Sequence, residues 1–182
     1  MISADTQARI LELLRGSKAQ RDRGLQDLYT ELRAPLYSLA LRMTGRADLA
    51  DDAVQETFVD ILRASNSFRG DARLTTWIFR IAVRASTRVA SRARAKAGDL
   101  PDDLPSAGSD PALTTEQLDG AARILRAIAS LPAPQRAVLA LSALDGLPQV
   151  EIASILGVPE GTVYSRLHSA RAKLRELLDA GQ

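Results

Sequence analysis

The sequence predicts an all-α protein of two small helical domains joined by a flexible acidic linker, with a helix-turn-helix in the C-terminal domain. Three observations predict it. Apolar residues recur at steps of three and four through most of the 182 residues, and no stretch alternates apolar with polar as a half-buried strand would. Residues 98–113, "GDLPDDLPSAGSDPAL", combine Pro101, Pro105 and Pro111 with Gly, Ser and Asp and carry no apolar face, which is linker composition. Charge changes sign at the same place. Residues 63–98 hold nine basic side chains and one acidic, whereas residues 99–119 hold none basic and six acidic. The expected organisation is a domain over 1–98, a linker over 99–113 and a domain over 114–182, with the two domains moving independently unless a partner clamps them.

The N-terminal domain reads as four helices, near 4–15, 21–44, 46–65 and 72–97, with Pro35 a candidate kink in the second. In the third, "ADLADDAVQETFVDIL", Leu49, Ala53, Phe58, Ile61 and Leu62 form the inward face and leave Asp48, Asp51, Asp52, Gln55, Glu56 and Asp60 outside. Acids in a first turn suit the helix dipole, which accounts for Asp48 to Asp52 but not for Glu56 and Asp60. An acidic face on a protein that is basic elsewhere suits docking on a basic protein surface. In the fourth helix Leu74, Trp77, Ile78, Ile81, Ala85 and Val89 mark the core face, while Arg80, Arg84, Arg88, Arg92 and Lys96 recur every four residues and wind slowly round the axis. With no carboxylates four residues away to pair them, these cations suit a phosphate track.

The C-terminal domain reads as helices near 114–130, 134–144, 148–156 and 160–179, separated by "LPAP", "DGLP" and "GVPEG". The last two form the helix-turn-helix. Ile152, Ala153, Ile155 and Leu156 give a short apolar helix, Gly157 supplies the positive φ of a sharp turn, and Pro159 with Glu160 opens the next helix. There Val163, Leu167, Ala170, Leu174 and Leu177 make one apolar face, and Tyr164, Ser165, Arg166, Ser169, Arg171 and Lys173 are left on the other. The break sets the angle at which the second helix can enter a major groove, with Val163 plugging the seam between the two.

Several function classes are excluded or disfavoured. There is no cysteine and a single histidine, His168, so disulfides, thiolate metal sites and imidazole cages are not available. No catalytic residue, metal or cofactor is expected, because no nucleophile has a base neighbour and no glycine loop would cradle a phosphate. The start, "MISADTQARI", has neither a basic nor an apolar targeting region, and no apolar run approaches the roughly 18 residues of a membrane span. A cytoplasmic protein without membrane insertion is expected.

Two segments carry a family resemblance. "DDAVQETFVDILRASNSFRGDARLTTWIFRIAVRA" resembles the second conserved region of extracytoplasmic-function (ECF) sigma factors, and "SLPAPQRAVLALSALDGLPQVEIASILGVPEGTVYSRLHSARAKLRELL" resembles their fourth. The resemblance implies a promoter-specificity subunit of RNA polymerase, with core polymerase and promoter DNA as partners and room for an anti-sigma factor. By residue, Asp52, Gln55 and Glu56 match the motif that binds the polymerase clamp coiled coil. The loop "NSFRGDAR", with Asn66, Ser67, Phe68, Arg69 and Arg73, matches the loop that captures a flipped base of the −10 element, and Arg80, Arg84 and Arg88 lie on the helix that follows it. Thr162, Ser165 and Arg166 match the recognition helix at the −35 element, with Tyr164, Ser169 and Lys173 beside them. Three positions depart from the family pattern. Arg84 replaces a usual Asn and Tyr164 a usual Lys, so base preferences do not carry over, and Pro148 replaces a Ser or Thr cap. The alternative function is an autonomous helix-turn-helix regulator, which would bind its operator without polymerase, commonly as a dimer; no dimerisation seam is evident.

Overall fold

The computed structural model describes residues 4–65, 68, 70, 72–97, 115–144 and 146–180; the acidic linker, 99–113, lies outside them. Among the described residues there are eight α-helices and no strand: α1 (Ala4–Arg15), α2 (Lys18–Thr44), α3 (Ala47–Ala64), α4 (Leu74–Ala97), α5 (Thr115–Ser130), α6 (Ala133–Ser142), α7 (Gln149–Leu156) and α8 (Glu160–Asp179).

In the N-terminal lobe α2, α3 and α4 pack on one another and α1 lies along α2. α2 starts three residues before its apolar pattern does, because Ser17 and Gln20 form a reciprocal capping box: the Ser17 N–H donates to Gln20 Oε1 at 2.8 Å and the Gln20 N–H donates to Ser17 Oγ at 3.4 Å. Pro35 sits inside this 27-residue helix without ending it. Leu28, Leu32, Leu36 and Leu39 repeat at steps of four and three and are buried against Ile61 of α3 and Ile78 of α4. α2 ends at Gly45, whose φ of +78° lets its N–H close on the Leu41 carbonyl at 2.8 Å. α3 begins at once after Arg46, whose guanidinium forks onto Asp48 and holds that carboxyl below the usual carboxylate range.

In the C-terminal lobe α6 and α7 pack on α8, with α5 alongside. The helix-turn-helix forms where expected. Gly157 adopts φ +66°, ψ +38° as the α7 cap, Pro159 immediately precedes α8, and Val163, Leu167 and Ala170 are buried. Pro148 precedes α7 without any side-chain cap.

The lobes are docked on each other. α2 packs on α5 and α6, α4 packs on α7, and the buried apolar residues of both lobes form one continuous cluster. Docking is fastened at helix C-termini. Arg136 of α6 is only 2 % exposed, and its guanidinium donates to the Met43 carbonyl at the end of α2 and to the Leu131 carbonyl just past α5, each at 2.8 Å. The last carbonyls of a helix have no partner within it and carry its negative dipole end, so a cation placed there is both bonded and electrostatically favoured. Burial, with the charge of Arg94 adding to it, lowers the Arg136 guanidinium to about 10, which leaves it charged at neutral pH. At Gly45 the backbone comes so close to α5 that a Cβ there would stand 2.6 Å from the Ala129 methyl.

Arg136→Met keeps most of the apolar stem and removes both bonds. The expected cost is about 2–3 kcal/mol in chemical denaturation, since two charge-assisted bonds are lost and a buried carbonyl is left unpaired. The radius of gyration should rise in small-angle scattering as the lobes part, and a variant unchanged in both measurements would remove Arg136 as their tie.

Candidate polymerase and promoter interfaces

α3 presents two functional faces. Asp52 and Gln55 are exposed, and four and seven residues beyond Gln55 the same strip continues with Val59 and Leu62, 41 % and 45 % exposed. Leu62 was expected in the core. Ile61 takes its expected inward position, but Leu62, about 100° round the helix from it, is turned out. The strip is polar at its N-terminal end and apolar at the other. Glu56 does not lie on it: it faces α4 together with Asp60, one turn on.

That orientation corrects the sequence reading of the basic stripe. No acids lie four residues away along α4, but two come from across the helix seam. Arg88 Nη2 donates to Asp60 Oδ2 at 2.5 Å and lies 3.5 Å from Glu56 Oε2, and Arg92 Nη2 pairs with Glu56 Oε1. A groove of about 620 Å³ runs over this network, with Asp52, Gln55 and Val59 on its rim. Arg80 and Arg84 of the stripe are occupied too. Arg80 donates to the carbonyls of Ser154 (2.7 Å) and Ile155 (3.4 Å) at the C-terminus of α7, and Arg84 turns back onto the Arg80 carbonyl of its own helix at 3.3 Å. Arg94 donates to the Ala129 carbonyl of α5 at 2.6 Å. The cations therefore do not form one open track.

Of the expected −10 loop, Asn66, Ser67 and Arg69 lie outside the described residues. Phe68 is not presented to a ligand. It is 8 % exposed, with its ring 5.1 Å from that of Trp77 and tilted by 52°, because an aromatic ring beside the apolar start of α4 gains more from the core than from water. The Arg73 guanidinium, although 70 % exposed, holds Glu151 of α7 at 2.5 Å.

On α8 Tyr164, Ser165 and Ser169 are exposed and Thr162 and Arg166 half-buried, spread over about two turns of the helix outside the buried positions Val163 and Leu167. Ser165 donates to the Thr162 carbonyl, and Lys173 pairs with Glu176 at 3.0 Å. Tyr164, 57 % exposed, is the most prominent ring on the surface. Sequence reasoning missed Arg136, Glu151 and the α7 C-terminus. Arg136 did carry a signal: there is no Asp or Glu from residue 120 to 144, so a cation in that apolar run had no local partner.

Comparison with known proteins places this geometry in a family. The Sigma-70 region 2 profile matches residues 28–96, spanning α2 to α4, and the Sigma-70 region 4 profile matches residues 121–174, spanning α5 to α8. The ECF RNA polymerase sigma factor SigM of Mycobacterium tuberculosis is 36 % identical over 169 residues, which cover 92 % of this chain and 83 % of that protein. The chain belongs to the ECF sigma factors. SigW of Bacillus subtilis is 30 % identical over 177 residues (87 % and 93 % of the two chains), and the sigma-E factor of Escherichia coli 37 % over 147 residues (74 % and 75 %). Among solved structures, CnrH in complex with the cytosolic domain of CnrY superposes with a TM-score of 0.71 at 25 % identity, covering 97 % of this chain and 99 % of that one. The sigma factor RpoE of Bartonella quintana, in complex with the anti-sigma factor NepR, shares the fold at 24 % identity and a TM-score of 0.63, over 86 % of this chain and 99 % of that one. As an ECF sigma factor the chain serves promoter-directed transcription by RNA polymerase. Among the described residues no helix is long and apolar enough to cross a membrane, and no group of acidic or histidine side chains is gathered as a metal site.

Proposed function

We propose that α3 docks core RNA polymerase through Asp52, Gln55, Val59 and Leu62 with Glu56 at the edge, and that two separate surfaces read the promoter. The loop before α4, with Arg73, Arg80, Arg84 and Arg88, faces the −10 element, and α8, with Thr162, Tyr164, Ser165, Arg166, Ser169 and Lys173, faces the −35 element. The observation that carries this reading is the two-sidedness of α3: one strip offers exposed acid, amide and apolar side chains suited to a protein partner, while its neighbour pairs with the helix assigned to DNA. Interface cores favour such apolar positions rimmed by polar ones.

The protein acts in the cytoplasm in this reading and has no catalytic group of its own. An anti-sigma factor, such as the one bound in the Bartonella structure, is a further partner. Reading the −10 element with Arg73 and Arg80 requires α7 to leave α4, because α7 holds both guanidiniums. A lone lobe with a few phosphate contacts binds DNA weakly, so specific binding depends on the holoenzyme.

Run-off transcription on genomic fragments with core polymerase tests the proposal. Initiation should require this chain, and Gln55→Ala combined with Glu56→Ala should abolish holoenzyme assembly with thermal melting nearly unchanged. Arg166→Ala should cost about 1–3 kcal/mol at one or two −35 positions if Arg166 reads a base, and should weaken all sequences evenly if it holds phosphate. Core polymerase that still co-purifies with the double variant at wild-type affinity would place the dock elsewhere.

A further inference from the structure

Four side chains are shared between the helix assigned to polymerase and the helix assigned to DNA. Glu56 and Asp60 are one turn apart on α3, Arg88 and Arg92 one turn apart on α4, and they meet across the seam: Arg88 bridges both carboxylates and Arg92 takes the second oxygen of Glu56. Neither arginine can be fully offered to a phosphate while it holds its carboxylate, and neither carboxylate can be fully offered to a cationic protein surface while it holds its arginine.

We propose that this network is a partner-exchange switch: when a basic surface of polymerase takes Glu56 and Asp60, Arg88 and Arg92 are released to promoter phosphates, so that polymerase docking and DNA binding strengthen each other. The inference rests on the functional reading above and adds the coupling between its two surfaces. Exposure supports exchange. The carboxylates are the more enclosed partners, at 31 % and 30 % side-chain exposure, whereas Arg88 and Arg92 are half out in solvent at 46 % and 56 % and are free to swing. Ion pairs this exposed are weakly held, so they can be traded, which a buried pair could not. A guanidinium meets a phosphate with the same fork that it offers a carboxylate, so little is lost in the trade. Asp60 also has Arg63 within 4.0 Å, a second cation on its own helix that remains when Arg88 departs. Arg84, bonded to the Arg80 carbonyl one turn back, takes no part. By linkage the coupling is reciprocal: DNA must favour polymerase docking by the same factor as docking favours DNA.

The test uses the full chain and a fluorescent single-stranded 20-nucleotide DNA across a salt series, with and without core polymerase. Asp60→Asn frees Arg88 in advance. The free variant should bind the DNA about threefold to tenfold more tightly than wild type, with a steeper salt dependence by about one phosphate contact, and the gain should vanish in the holoenzyme, where docking has already released the arginines. Two controls separate the switch from a general loss of negative charge. Asp51→Asn removes the same charge from the same helix outside the network and should give no such gain, and Arg88→Gln placed on Asp60→Asn should cancel it. Closure of α7 over Arg73 and Arg80 is common to all variants and drops out of the ratios. No gain in the free chain, an equal gain with and without polymerase, or a gain that survives Arg88→Gln would each overturn the proposal. A wild-type chain that fails to assemble with core polymerase would instead overturn the functional reading on which it rests.

Discussion

Among the described residues three helix C-termini are closed by arginines from the opposite lobe. Arg136 of α6 takes the Met43 carbonyl of α2, Arg94 of α4 takes the Ala129 carbonyl of α5, and Arg80 of α4 takes the Ser154 and Ile155 carbonyls of α7. A buried carbonyl left without a donor costs free energy comparable to a lost hydrogen bond, and a charged donor meeting the negative end of a helix gains more than a neutral one. The buried Arg136 bond and the apolar cluster shared by both lobes hold them in one arrangement, with the more exposed Arg80 and Arg94 bonds added to it. The close approach of α5 to Gly45, where a side chain would collide with Ala129, follows from it, and so does the position of α7 on the face of α4 that carries Arg73 and Arg80.

That arrangement gives the cations proposed to face DNA internal acceptors from two sides. α7 supplies the Glu151 carboxylate and a pair of carbonyls at one end of α4, and α3 supplies Glu56 and Asp60 further along. Both are anionic or partly so, and both occupy groups that would otherwise meet phosphates. Arg73, Arg80, Arg88 and Arg92 are thus each engaged within the chain. α3 is the element where the two demands meet, since one strip of it faces outward and the next faces α4.

The fold was legible in the sequence because each helix repeats apolar residues at steps of three and four and each break is marked by Gly or Pro. The Gly157 turn, the start of α8 and the buried seam at Val163 are local chemistry, and local chemistry is what a sequence displays. The α2 start at Ser17 was also local, a capping box that an apolar pattern alone does not reveal. What was not legible was tertiary. The pairing of Arg88 with Asp60 joins residues 28 apart, and that of Arg136 with Met43 residues 93 apart, so no window of the chain contains both partners. Leu62 and Phe68 were misjudged for a related reason: which of two adjacent apolar positions is buried, and whether a loop aromatic turns inward, is decided by the helix packed against them.

In the free chain the lobes are held closed, and the proposed function requires them to part on polymerase. The sequence has no cysteine, so one fluorophore pair can be attached through Thr30→Cys on α2 and Ala172→Cys on α8. Single-molecule energy transfer should give one short distance for the free chain, lengthening when core polymerase is added. A distance already long and broad in the free chain, or one that core polymerase leaves unchanged, would contradict the account.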